Sequence, residues 1–333
     1  MEPVMMLLFL VVALALVFDY INGFHDAANA IATVVSTRVM RPTTAVIYGG
    51  ILNFIGALMG TEVAATIGKG LVDAASITMM TVLCTLIAAI VWNLITWYKG
   101  LPTSSSHALI GSLLGATWFG AHDRENHIHW DAVMQKIVIP MISSPFLGVF
   151  IGFVGMTILT WLIYKMRPGK INRIFGKLQI VSAGFMALSH GRNDAQKSMG
   201  IIALALMLAF PGEAFDVPLW VKLTCAIAMG LGTMAGGWRI IRTLGNKMIK
   251  LQPVHGFAAE TTASLIITVA SHLGIPVSTT QVISASILGV GATRRLSAVR
   301  WGIVGNILWA WVLTLPLTFL FAGVVTMVLG AIF

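Results

Sequence analysis

Long apolar stretches run the length of the chain, and short polar clusters interrupt them at repeating places. Apolar segments fall near residues 4–36, 43–60, 77–98, 103–120 and 132–164, then near 178–210, 219–238, 254–272, 276–293 and 301–332. Each is continuously apolar rather than alternating with a period of two, which predicts helices and argues against a β-barrel. About 20 such residues suffice to cross a bilayer as a helix. The longest segments exceed one straight crossing, so they are expected to break, kink or fold back, with Pro140, Pro145 and the glycine-rich polar motifs as the places to do so. The pattern predicts an all-α polytopic membrane protein of 10–12 transmembrane helices, some broken or re-entrant, arranged as two sets of five segments.

The interruptions repeat. Residues 100–115 read GLPTSSSHALIGSLLG and residues 274–289 read GIPVSTTQVISASILG, an offset of 174. A second pair, GFHDAANAIATVVST at 23–37 and HGRNDAQKSMGIIAL at 190–204, places Asp26 and Asp194 at an offset of 168. The chain therefore divides into a first repeat, 1–164, a basic linker, 165–177, and a second repeat, 178–333.

Composition strengthens this reading. Only 10% of the residues are charged and the mean hydropathy is +0.90, against about 25% charged in soluble domains. Residues 5–17 lack a preceding basic residue and a cleavage site, so they read as a first transmembrane helix rather than a signal peptide. Cys84 and Cys225 sit in apolar runs and read as small core residues.

The net charge of +9 fits the positive-inside bias of membrane loops, with no nucleic-acid partner. Arg38 and Arg41 lie in 38–42, whereas the equivalent loop at 207–218 has Glu213 and Asp216 and no basic residue. Asp123, Arg124, Glu125 and Asp131 in 121–131 face Arg294, Arg295 and Arg300 in 294–300. Arg239, Arg242, Lys247 and Lys250 face a region near 61–73 that has only Lys69, with Glu62 and Asp73. The linker adds Lys165, Arg167, Lys170, Arg173 and Lys177. Placing the basic loops in the cytoplasm puts both termini outside and makes the second repeat inverted relative to the first.

The embedded polar residues carry the chemistry. Asp26 and Asn29 share one helical turn and offer hard oxygen ligands to a small cation, or an interhelical hydrogen bond. In the second copy Asn193 and Asp194 replace His25 and Asp26, and Lys197 stands where Asn29 stands. Lys197 has three readings: a contact to an anionic substrate, a tethered cation beside Asp194, or a structural ion pair. Ser104, Ser105 and Ser106, and likewise Ser278, Thr279 and Thr280, follow a Gly-x-Pro that starts a helix. Such turns make either an anion site, through free N–H groups and the helix dipole, or ordinary N-caps. Glu260 is a third embedded carboxylate whose counterpart at the 174 offset is Leu86, which favours a cation or proton site. Arg192 reads as a solvated charge near an aqueous mouth. His122, His127 and His129 read as a solvated loop rather than a metal cluster.

No P-loop, dinucleotide fingerprint, nucleophile elbow or zinc motif is present, so nothing points to an enzyme or to ATP-driven transport. An anion channel would use the helix ends but gives no reason for three embedded carboxylates. The stretches GFHDAANAIATVVST, HGRNDAQKSMGII, GLPTSSSH, GFAAETTAS and GIPVSTTQ resemble the inorganic phosphate transporter (PiT) family of cation-coupled secondary carriers. The resemblance spans both halves. It implies an inverted-repeat fold that imports inorganic phosphate with sodium or protons across the cell (inner) membrane, needs no cofactor, and is compatible with a homodimer. It places the family's Asp-motif roles on Asp26, Asn29, Asn193 and Asp194, its hydroxyl-turn roles on Ser104, Ser105, Ser106, Ser278, Thr279 and Thr280, and its embedded glutamate on Glu260. Combined with the residue chemistry, substrate contacts are expected at the two hydroxyl turns, Asn193 and Lys197, and cation contacts at Asp26, Asn29, Asp194 and Glu260. His25 and Lys197 depart from the Asn-Asp-x-x-Asn pattern of many members. Related sulfate permeases lack the intact Asp motifs, which favours phosphate over sulfate here.

Overall fold

The computed structural model describes residues 3–74, 77–120, 127–212, 214–247, 250–293 and 300–332. Fourteen α-helices account for most of them: α1 (Pro3–His25), α2 (Ala27–Ser36), α3 (Pro42–Ala57), α4 (Glu62–Ala65), α5 (Met79–Lys99), α6 (Ser105–Gly120), α7 (Trp130–Val133), α8 (Ile139–Ile163), α9 (Pro168–Ala209), α10 (Leu219–Ala235), α11 (Trp238–Arg242), α12 (Pro253–His272), α13 (Thr279–Ala292) and α14 (Trp301–Gly330). Short π-helical turns extend α4 and α11 and join α7 to α8. No strand occurs among the described residues, where Val72 and Ile128 make an isolated bridge.

Local chemistry sets many boundaries. Pro42, Pro168 and Pro253 open α3, α9 and α12 at a position where a missing N–H costs nothing. Gly100 (φ 66°) and Gly274 (φ 64°) turn the chain just beyond α5 and α12 in the left-handed conformation that glycine tolerates. Each is followed by the x-Pro that launches α6 or α13.

Four helical spans, Val4–Ser36, Met79–Lys99, Trp130–Ile163 and Trp301–Gly330, are long and apolar enough to cross a membrane. Two bent pairs, α3 with α4 (64°) and α10 with α11 (56°), bring the count to six if each is one span. That is fewer than the ten to twelve the sequence suggests, because polar residues interrupt the apolar faces of α9 and α12 and because α6 and α13 are short. With 16 and 14 residues, α6 and α13 reach only about 24 and 21 Å, short of a hydrocarbon core of about 30 Å. Phe146, Phe150, Trp161 and Trp309 project outward from α8 and α14, as lipid-facing side chains do. The chain is a multi-pass membrane protein.

The order of elements is duplicated. A long helix, a bent pair, a helix, a short helix and a final long helix occur first as α1 to α8 and then as α9 to α14. Contacts between the halves are reciprocal, as a two-fold relation requires: α6 packs on α14 and α13 on α8, while α3 packs on α9 and α10 on α1. The reciprocity extends to single residues. A Cβ on Gly115 would lie 2.1 Å from the Phe319 carbonyl oxygen, and one on Gly289 would lie 2.2 Å from that of Val149. Gly115→Ala and Gly289→Ala should therefore each cost about 1–3 kcal/mol through overpacking. Gly302→Ala, with nothing within 4 Å of the added Cβ, should leave thermal unfolding in detergent unchanged; equal melting of all three would contradict the close approach.

Three expectations need adjustment. The basic stretch 165–177 is a loop only as far as Arg167; from Pro168 it forms the first turns of α9, which runs 42 residues without a break. Pro145 lies within an unbroken α8, whereas the polar motif at 23–37 does interrupt its helix, at Asp26 between α1 and α2 (φ −97°, ψ 5°). Arg192 is buried rather than solvated: the unbroken α9 carries it against α4 and α12, where it lies 3.6 Å from Glu62 and 2.8 Å from His272 Nε2. Asp123, Arg124, Glu125, Glu213, Arg294, Arg295 and His122 lie outside the described residues.

Candidate functional site

The two Gly-x-Pro turns place the N-termini of α6 and α13 inside the protein. The first hydroxyl of each triplet is a cap: Ser104 Oγ accepts from the His107 N–H (3.1 Å) and Ser278 Oγ from the Gln281 N–H (3.3 Å). Capping therefore holds for Ser104 and Ser278, and it leaves Ser105, Ser106, Thr279 and Thr280 to face the neighbouring motifs.

Those motifs arrive from α1, α2 and α9. Thr279 donates to Asp194 Oδ2 (3.2 Å) and Thr280 to Asp26 Oδ1 (3.3 Å). Asn29 Nδ2 donates to Thr280 (2.9 Å) and Thr279 (3.2 Å). Lys197 Nζ donates to Asp194 Oδ1 (2.6 Å), to Ser106 Oγ, and to the Val277 carbonyl (3.3 Å). Both aspartates and both hydroxyl turns thus belong to one cluster. None of its members, from Asp26 to Thr280, is more than 2% exposed, so the site is occluded from both faces.

The flanking residues fix this geometry. His25 Nδ1 meets Asp26 Oδ1 at 2.7 Å and its Nε2 meets Thr96 on α5 at 3.1 Å. Asn193, at the equivalent position of the second copy, donates to Ser271 on α12 (2.8 Å). The imidazole and the amide therefore do the same structural work. A further chain runs from Thr233 through Asn53 to His190 Nδ1 (2.9 Å at each step), and turns His190 Nε2 toward Asp194 Oδ2 at 3.4 Å. Carboxylate and imidazole atoms of Asp26, His190 and Asp194 lie within 4.8 Å of one another, close enough to share a cation. Asn29 Oδ1, Asn193 Oδ1 and Ser105 Oγ are buried and lack a hydrogen-bond partner. Unpaired buried polar atoms are costly, so these three are open to a ligand's polar groups.

Glu260 stands apart from this cluster. Its carboxylate takes hydrogen bonds from Thr33 on α2, and from Ser182 and Gln179 on α9, the last at 3.2 Å. It ties α12 to elements of both halves one helical turn beyond Asn29. Asp19 and Asn22 are further embedded polar residues, outside the repeated motifs. They precede Asp26 on the same face of α1, and both are buried. Asp19 Oδ1 accepts from Ser198 on α9 (2.9 Å). Their i, i+3, i+7 spacing before Asp26 was the available signal.

Residues 22–322, which contain both Asp motifs, both hydroxyl turns and Glu260, match the model of the phosphate transporter family, PHO4. The chain belongs to that family. Curated relatives named "probable low-affinity inorganic phosphate transporter" agree with this. One from Rhizobium meliloti (strain 1021) is 48% identical over 92% of this chain and 91% of that protein. One from Bacillus subtilis (strain 168) is 44% identical over the whole of both. Among solved structures, one titled "The sodium-dependent phosphate transporter" superposes with a TM-score of 0.90 at 26% identity, covering 98% of this chain and all of that one.

Proposed function

We propose that this chain imports inorganic phosphate across the cell (inner) membrane by cation-coupled secondary transport with alternating access. One observation carries the reading: two equivalent hydroxyl-bearing helix N-termini, one from each half, meet two buried aspartates in a single occluded cluster. The helix ends and hydroxyls of Ser105, Ser106, Thr279 and Thr280 suit the oxygens of phosphate. Asp26 and Asn29 supply hard oxygen ligands for the coupling cation, Asp194 holds the ammonium of Lys197 beside them, and Glu260 supplies another ligand to a sodium ion or a proton.

Electrostatics explains why one site needs both signs. Phosphate carries between one and two negative charges near neutral pH, and an inside-negative membrane opposes its uptake. At about 2.3 kcal/mol per charge per 100 mV, a divalent anion faces roughly 4.6 kcal/mol. Co-transported cations cancel that barrier and add driving force. The reciprocal packing of the halves gives a way to expose the site alternately, because a structure built from two equivalent halves has two equivalent ways to open.

Two measurements test this. Proteoliposomes preloaded with unlabelled phosphate should take up radiolabelled phosphate by exchange, while sulfate inside should not drive it; equal exchange with sulfate would sink the substrate assignment. Cysteines placed at Glu213 and Arg295 should label from opposite faces of the membrane, as inverted repeats require. Labelling of both from one face would rule out the inversion.

A further inference from the structure

We infer that Lys197 is a resident cation, whose ammonium permanently fills one of two equivalent oxygen cages and leaves only the other to an exchangeable monovalent cation. The inference rests on the phosphate-carrier reading and adds to it the origin of the coupling stoichiometry.

The surroundings of the ammonium carry the argument. Nζ has three protons and no lone pair. Its three acceptors are a carboxylate oxygen of Asp194, the hydroxyl of Ser106 and the main-chain carbonyl of Val277. Every proton is directed at a protein oxygen, so none is left for an anionic ligand. A carboxylate, a hydroxyl and a carbonyl are also the hard ligands that would hold a small metal cation. The side chain is 1% exposed, and burying an ammonium this deeply is tolerable only against such a cage.

The other half contains equivalent oxygen groups, with Asn29 in the place of the lysine. At the repeat offsets, Asp194, Ser106 and Val277 correspond to Asp26, Thr280 and Thr103. For Asp26 and Thr280 the correspondence holds in space as well as in sequence. Lys197 reaches across to Ser106 on the first half's turn, and Asn29 reaches across to Thr280 on the second half's turn at 2.9 Å. Asn29 brings no charge, however. Its amide donates to the threonine hydroxyls while Oδ1, buried and without a hydrogen-bond partner, remains available as a ligand. Asp26 lies by Thr280 without a lysine or arginine among its ion-pair partners in the described residues. The two equivalent aspartates thus differ in their partners: Asp194 meets a lysine ammonium as well as the His190 imidazole, whereas Asp26 meets the His25 imidazole and no lysine or arginine among the described residues.

The test is the charge moved per phosphate. In proteoliposomes, the membrane potential at which net radiolabelled phosphate flux vanishes, at set cation and phosphate gradients, gives that charge directly. Lys197→Asn, which restores the first-half residue, should raise it by one positive charge per phosphate, whether the added ion is sodium or a proton. An unchanged charge accompanied by weaker phosphate activation would overturn the inference and make Lys197 a substrate ligand. If the variant does not turn over, cation binding still decides. Purified Lys197→Asn and Lys197→Gln proteins, followed by tryptophan fluorescence, should show a second sodium-binding or proton-binding event absent from the wild type; titrations identical to wild type would overturn the claim. Wild-type vesicles that move no phosphate would reject the carrier reading instead, and the binding titrations would judge the resident cation independently.

Discussion

Replacing Asp194 with asparagine should abolish phosphate uptake and cost the folded protein about 3–5 kcal/mol, because it strands a buried ammonium without its counter-charge. Asp194 lies 2.6 Å from Lys197 Nζ at the middle of α9, where neither side chain reaches water. Its second oxygen accepts from Thr279 at 3.2 Å, so the substitution also loosens the α13 turn. The stability loss has a specific remedy. Removing both charges together, as Asp194→Asn with Lys197→Met, should recover most of the stability while leaving uptake absent. Thermal unfolding in detergent separates the two effects. A single Asp194→Asn variant as stable as wild type would mean that the lysine charge is balanced elsewhere.

The equivalent change in the other half should fail differently. Asp26→Asn should fold nearly as well as wild type, since Asp26 balances no lysine and its contacts to His25 (2.7 Å) and Thr280 (3.3 Å) can be met by an amide oxygen. Its loss should appear in the coupling. Removing a charged ligand is worth about 1.5–3 kcal/mol, so cation activation of uptake should shift to roughly ten- to a hundred-fold higher concentration. Phosphate uptake measured against cation concentration checks this. Unchanged activation would remove Asp26 from the cation site. Two residues related by duplication would thus give a folding defect in one case and a coupling defect in the other, and Lys197 is the reason.

Much of this was legible in the sequence because duplication wrote it twice. The Gly-x-Pro-hydroxyl turns and the Asp motifs recur at offsets of 174 and 168, and a polar residue inside an apolar segment is too costly to be incidental. The distinction within each triplet was not legible. That Ser104 and Ser278 cap their helices while the next two hydroxyls face the site depends on where the helix begins, which is a matter of one residue. The partners of Glu260 were equally hidden: Thr33, Gln179 and Ser182 reach it across 78 to 227 residues of chain, and no local pattern records such pairings. The unbroken α9 was missed for a related reason. Its polar residues read as an interruption, yet they sit in a buried interior that satisfies them without breaking the helix.

The central claim is that one occluded site moves phosphate uphill by carrying cations with it. Its most direct test is accumulation of radiolabelled phosphate in proteoliposomes of the purified protein, with sodium gradient, pH gradient and membrane potential imposed separately. The account predicts that at least one cation gradient drives internal phosphate well above the level at electrochemical equilibrium, and that collapsing this gradient releases it. Phosphate that only equilibrates under every gradient would contradict the account and leave a channel-like pathway in its place.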